Sequence, residues 1–178
     1  MMILRLNLNR LVIDEMKSIL SFWLDLGIDG VRMDAISHLI EDDLLLDEPR
    51  SFDPEAVDEL DWKYLDHIYT NNQNLTRSII TELSEHVKTN YGEDKFVVLE
   101  TDLGIPEVMD YYQCGDIPFN FNLARNLGSD ITAEKVLEQV DAWLESLPGD
   151  GVADWVTGSH DIGRVASRVS DQGSFQKF

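Results

Sequence analysis

Three short apolar runs in this chain each lead into a carboxylate, and stretches of helical periodicity separate them. Val31-Arg32-Met33 precedes Asp34, Phe96-Val97-Val98-Leu99 precedes Glu100, and Val156-Thr157-Gly158-Ser159 precedes His160-Asp161. Runs of this length, rich in β-branched residues, read as buried strands. The spacing predicts strands over 28–33, 95–99 and 153–158, with a further short one over 118–123. Residues 11–26 place apolar side chains at 12, 16, 19, 20, 23 and 26, the spacing of an amphipathic helix, and Gly27 ends it. Residues 62–90 read as mostly helical. Residues 133–147 form a second clear amphipathic helix, stopped by Pro148-Gly149. Between the first strand and the helices, 41–61 is acidic, holds Pro49 and Pro54, and reads as an irregular excursion. Strands alternating with helices predict an α/β protein with a parallel sheet. The alternation alone leaves an open sheet and a barrel as alternatives.

In a barrel, the C-terminal ends of the strands share one rim, and side chains placed there converge. Asp34, Glu100 and Asp161 would then face a common space. Converging carboxylates are what glycoside hydrolysis requires: one ionised to attack or stabilise the anomeric carbon, one protonated to release the leaving oxygen. Crowding separates the two roles by driving the pKa values apart. Arg32 lies two residues before Asp34, on the same face of a strand, where its guanidinium would keep Asp34 ionised. A structural ion pair at a strand end is the bland alternative for Arg32 and Asp34, and a helix-capping acid for Glu100.

Length and charge narrow the field. The chain has 178 residues, short for a complete (β/α)₈ barrel of ~250 residues. Its formal net charge of −20 repels nucleic acid and anionic membranes. No apolar run approaches the ~20 residues of a membrane span, and the first ten residues do not read as a signal peptide. Cys114 is the single cysteine, so neither an internal disulfide nor a Cys/His metal cluster is expected. Asn74-Leu75-Thr76 is an N-glycosylation sequon. Trp23, Trp62 and Trp143 fit helix faces and are expected in the core. Tyr111-Tyr112 is expected to pack rather than to stack on sugar. His67 and His86 are expected to carry no function, and Arg164 is balanced between a site carboxylate and a scaffold ion pair.

The motifs also carry a resemblance. Gly30-Val31-Arg32-Met33-Asp34-Ala35 with His38, then Glu100 after its strand, then Gly158-Ser159-His160-Asp161, resemble in order and spacing the active-site motifs of the α-amylase superfamily, glycoside hydrolase family 13. Asp47-Glu48-Pro49-Arg50, Tyr64 to Thr70, Pro118-Phe119-Asn120-Phe121 and Asp154-Trp155-Val156 are similar to the insect maltase branch. The resemblance implies a retaining double displacement on α-1,4-linked glucose in maltose, sucrose or short oligosaccharides. Asp34 would be the nucleophile, Glu100 the acid/base, and Asp161 the group binding sugar hydroxyls, with His160 beside it. Arg32 would orient Asp34, and His38 would line the leaving-group side.

The same resemblance implies a partial TIM (β/α)₈ barrel over 1–178, running roughly from the third helix to the seventh strand. The first strands, the last strand, the C-terminal β-domain and the family's first motif are expected outside it. Segment 5–10 resembles a family Asp-Leu-Asn stretch with Arg5 in place of the Asp. Ser159 stands where Asn is usual, and Thr101-Asp102 follows Glu100 where Ala and an aromatic are usual. The alternative reading is a non-catalytic heavy-chain subunit of a heteromeric amino-acid transporter, built on the same barrel; a transglycosylase is a third. The expected partner is a small α-glucoside or oligosaccharide, with membrane association only through segments outside this chain, and the resemblance suggests a secreted or cell-surface protein. Hydrolysis needs no cofactor. Calcium is common in the superfamily, yet 41–61 lacks the alternating spacing of a calcium loop, and no metal site is expected.

Overall fold

A computed structural model describes residues 10–169, so the resemblance at 5–9 lies outside the described residues. The chain divides into two compact units, 10–31 with 35–95, and Arg32–Asp34 with 96–169.

The first unit is built on helices α1 (Arg10–Asp25) and α2 (Asn74–Tyr91). The stripe of α1 that is buried is Ile13, Leu20 and Leu24, on the same side as Arg10 and Lys17. Both cations reach Glu82 of α2, at 2.8 and 2.6 Å. Farther along, Ser21 Oγ lies 2.9 Å from His86 Nε2, and the Tyr91 hydroxyl donates to Asp25 Oδ1 at 3.0 Å. These contacts advance together along both helices, so α1 and α2 run parallel. The periodic set read from the sequence lies partly on the other flank, and Met16, Ile19 and Trp23 stay exposed. The polar staples to Glu82 explain the difference: they rotate the helix so that the 10-13-17-20-24 stripe faces α2.

Gly27, at φ +93°, closes α1 after Leu26 and Gly27 have turned back onto the carbonyls of Trp23 and Leu24. A left-handed residue there needs glycine. Residues 41–61 hold neither helix nor strand. Their aspartates are used locally. Asp42, Asp53, Asp58 and Asp61 each accept from the backbone N–H two residues on, at 2.9 Å, which is the Asx-turn geometry. An antiparallel bridge between Arg50 and Leu65 closes the excursion, and Glu48 Oε1 accepts from the N–H groups of Tyr69 and Thr70. Helix over all of 62–90 is not observed: a 3₁₀ turn occupies Trp62–Tyr64 and α2 starts only at Asn74. His67 and Asn72 between them adopt φ of 53° and 50°, which interrupts a right-handed helix. Trp62 is 55 % exposed rather than core. Its indole stacks on the His67 ring at 3.4 Å.

The second unit carries the sheet, apart from residues 30–31 at the start of its first strand, which fall in the first unit. Strands β1 (Gly30–Met33), β2 (Phe96–Leu99) and β3 (Ile117–Pro118) lie in that order, with β2 and β3 parallel and Leu99 opposite Pro118. The N–H of Glu100 donates to Met33 O and that of Phe119 to Leu99 O, both at 2.9 Å. Asp116 Oδ2 accepts from Val97 N at 2.6 Å, anchoring the start of β2. A Cβ at Gly115 would meet Leu99 Cδ1 at 2.9 Å, so glycine permits the close approach of the loop to β2. Val97 and Leu99 are fully buried, as is expected of a covered parallel sheet. Helices α3 (Ile105–Met109), α4 (Phe121–Asn126), α5 (Ala133–Ser146) and α6 (Val165–Arg168) belong to the same unit. Trp143 and Tyr111 are the largest wholly buried side chains here, and Thr132 caps α5 by accepting from Lys135 N.

Two expectations for this unit are corrected. The run 118–123 is not a strand beyond Pro118. The pairing ends at Phe119, and Phe121-Asn122-Leu123-Ala124 turns into α4. No strand forms over 153–158. A strand exists by pairing its backbone groups; here Arg168 takes the carbonyl of Thr157, and Tyr112 takes that of Val152 just before the segment. His160 and Asp161 therefore follow an irregular segment.

Candidate active site

Two adjacent parallel-sheet positions put Asp34 just past β1 and Glu100 just past β2. One guanidinium joins them. Arg32 Nη1 lies 2.7 Å from Asp34 Oδ1, and Nη2 lies 2.6 Å from Glu100 Oε2. The two carboxyls differ in environment: the Asp34 side chain is 71 % exposed and that of Glu100 13 %. The Asp34 carboxyl is held below its ordinary value. A hydrogen bond from the Glu100 carboxyl is the largest cause, opposed by burial and supported by the charge and hydrogen bond of Arg32 and by His160. The pair thus consists of an accessible carboxyl whose charged form is favoured and a more buried one.

The ring of Phe119, at the end of β3, lies 5.6 Å from the Arg32 guanidinium carbon, and Phe121 meets Phe119 edge-on at 5.4 Å. Sequence reasoning did not assign Phe119 a role; its place in the Pro-Phe-Asn-Phe motif was the available signal.

His160 Nε2 lies 3.2 Å from Asp161 Oδ2, with both side chains largely exposed, and Ser159 Oγ accepts from Asp161 N at 3.1 Å. The segment that carries them is held by Arg168. Its guanidinium donates to Gly163 O and Thr157 O, both at 2.7 Å, to Leu127 O at 2.6 Å, and to Ala124 O. Among the described residues Arg168 is the cation that ties this region together, and the sequence offered no signal for it. A cavity of about 1020 Å³ opens beside the segment, lined by Leu123, Leu127 and Val136 on one side and Ser159, His160 and Arg164 on the other. The structure thus gathers Arg32, Asp34 and Glu100 into direct contact and brings the charge of His160 to bear on Asp34.

His38 belongs to the first unit. It ends a 3₁₀ turn, Ile36–His38, entered through Ala35 at φ 45°, and its ring meets Trp62 edge-on at 5.4 Å. Burial pushes its pKa down, against a hydrogen bond with the Thr70 backbone, and the charge of His67 adds to the lowering. His38 is therefore neutral near pH 7. Among the described residues, no group of three or more His, Cys, Asp or Glu side chains is placed to hold a metal ion, and no helix is long and apolar enough to cross a membrane.

Residues 5–177 match the family model of the alpha amylase catalytic domain. The chain is 33% identical over 165 residues to the alpha-glucosidase of Apis mellifera, covering 92% of this chain and 29% of that protein. It is 33% identical over 180 residues to Maltase A1 of Drosophila melanogaster, covering 92% and 31%. The human amino acid transporter heavy chain SLC3A1 is 29% identical over 170 residues, covering 89% and 24%. Among solved structures, the alpha-glucosyl transfer enzyme XgtA superposes with a TM-score of 0.76 at 22% identity, covering 90% of this chain and 30% of that one. The chain spans about three-tenths of the length of the insect relatives it matches.

Proposed function

Because the chain belongs to the alpha-amylase catalytic-domain family, we propose that the full-length protein is a retaining, maltase-like α-glucosidase. Its substrates are maltose, sucrose or short oligosaccharides with a terminal α-linked glucose, and it is secreted or displayed at the cell surface. Within the family's eight-stranded barrel, this chain runs roughly from the third helix to the seventh strand.

The observation that carries the reading is the bridged pair Asp34–Arg32–Glu100. Asp34, ionised and accessible, attacks the anomeric carbon and forms a covalent glucosyl-enzyme. Glu100, the more buried of the two carboxyls, protonates the leaving glycosidic oxygen and then takes a proton from the attacking water. Asp161 binds sugar hydroxyls and supports the oxocarbenium-like transition state, with His160 beside it. Arg32 orients Asp34, and neutral His38 lines the leaving-group side. The reaction so written needs no cofactor, and no calcium site is assigned.

The intact set of carboxylates supports an enzyme over a transporter heavy chain, and similarity to the human heavy chain is lower than to the insect glucosidases. The test is hydrolysis of p-nitrophenyl α-glucoside by the full-length protein beside Asp34→Asn and Glu100→Gln. Hydrolysis by the wild type, abolished in Asp34→Asn and lowered roughly 10²–10⁴-fold in Glu100→Gln, is expected. A folded wild type without hydrolysis sinks the proposal.

A further inference from the structure

We propose that Asn74 is an N-glycosylation site, and that the hydroxyl of Thr76 is kept for that modification rather than for the fold. The inference rests on the secreted or cell-surface reading proposed above, but not on the catalytic one. Asn74-Leu75-Thr76 is the one Asn-X-Ser/Thr triplet in the sequence, and it opens α2.

The two ends of the triplet have opposite environments. Asn74 is exposed, and its Oδ1 accepts from Arg77 at 3.4 Å on the solvent side, so an attached sugar would project into water. Thr76 is fully buried, and its Oγ1 has no hydrogen-bond partner among the described residues. A threonine hydroxyl in a helix ordinarily returns to a carbonyl three or four residues back. This one does not, so it is buried at a cost in free energy. Valine has the same shape without the hydroxyl and would fill the position better. The folded chain gives the hydroxyl no task, whereas the sequon requires it.

The timing removes the apparent conflict between a buried Thr and an enzyme that must read it. Modification takes place while the chain is being made, before α2 packs. The residues leading into the triplet, 65–73, are irregular in the finished fold as well. The donor is an oligosaccharide joined through N-acetylglucosamine to a lipid diphosphate, and the catalyst is a membrane-bound transferase. Asn74 Nδ2 attacks C1 of that sugar. The C1–N bond forms, the C1–O bond to the diphosphate breaks, the electron pair leaves with the lipid diphosphate, and one amide proton passes to base. Once the chain has folded, Thr76 is sealed and the glycan remains at the exposed start of α2.

The experiment uses the full-length protein secreted from insect cells. Peptide-N-glycosidase treatment should give a discrete drop in mass and convert Asn74 to Asp in the peptide that contains it. Asn74→Gln and Thr76→Val should each lose the drop, and Thr76→Ser should keep it. Deglycosylated wild type should melt no higher than Thr76→Val. Asn74→Gln should retain the p-nitrophenyl α-glucoside hydrolysis of the wild type, which keeps the two proposals separable. An unmodified Asn74 in the secreted protein, or a drop in mass that survives in Thr76→Val, overturns the site. A Thr76→Val variant that melts below the deglycosylated wild type overturns the claim that the fold does not use the hydroxyl.

Discussion

The Phe119 ring lies 5.6 Å from the guanidinium carbon of Arg32, while the two Nη atoms of Arg32 reach Asp34 and Glu100 on different strands. A planar cation held against an aromatic face has fewer ways to turn, and both its ends stay aimed. Phe119 thus acts through Arg32, as a positioning residue. Replacing it with Leu keeps an apolar side chain and removes the ring, a loss of about 0.5–1 kcal/mol. The expected result for Phe119→Leu in the full-length protein is a kcat lowered several-fold with KM nearly unchanged. An equal rise in KM would instead place the ring against the substrate.

Arg168 supports a prediction of a different kind. It gives hydrogen bonds to four carbonyls, those of Ala124, Leu127, Thr157 and Gly163. Two belong to the end of α4 and its exit, and two flank the segment that carries His160 and Asp161. Methionine preserves the length of the stem and leaves those carbonyls without their donor. We expect Arg168→Met to lower stability by about 2 kcal/mol and to raise KM more than it lowers kcat. Urea unfolding and Michaelis kinetics on the same preparation test both parts, and a wild-type KM would show that the loop does not bind substrate.

Much of this was legible in the sequence because hydrophobic periodicity and glycine report local geometry. The run Phe96–Leu99 became a strand, 133–147 became α5 within a residue, and Gly27 ended α1 where expected. Asp34 and Glu100 could be read as converging, were the sheet closed into a barrel, because each follows an expected strand; that their strands are neighbours is seen only in the fold. What failed depended on distant partners. Nothing local in Ala153–Gly158 shows that Arg168 and Tyr112 take carbonyls in and beside it. The apolar positions of α1 could not reveal that Lys17 would face inward, since only Glu82, 65 residues later, holds it there. Trp62 looked like core by its neighbours in sequence, yet left-handed backbone at His67 put the two rings against each other at the surface.

Glu82 links this packing to pH. Hydrogen bonds from Arg10 and then Lys17 push its carboxyl from an ordinary 4.5 down to about 2. A depressed folded-state pKa contributes stability that is fully present above the unfolded value and lost as pH falls through the folded one. The window is therefore about pH 4.5 down to about 2. Solvent screens the partly exposed cluster, so its contribution should be about 1 kcal/mol. In Glu82→Gln the wild-type loss of stability across this window should become shallower, read as melting temperature against pH. Parallel curves for the two proteins would contradict the linkage.

The acid limb of activity should report on Arg32. The Asp34 carboxyl is lowered first by the hydrogen bond from Glu100 and then by the charge and hydrogen bond of Arg32. A nucleophile must be ionised, so a lowered pKa extends activity towards acid, and removing a cause of the lowering must move the acid limb of kcat/KM upward. Arg32→Gln deletes the charge and is expected to shift that limb to higher pH. Arg32→Lys keeps the charge but offers a single ammonium where two carboxyls on separate strands need two ends of a fork. Its limb should move less than that of Arg32→Gln, while kcat falls by roughly a hundredfold from misplacement of the reacting groups. Charge and geometry separate in this pair of variants: the shift follows the charge, and the loss of rate follows the fork. An acid limb that stays at its wild-type position in Arg32→Gln would mean that the group titrating there is not Asp34.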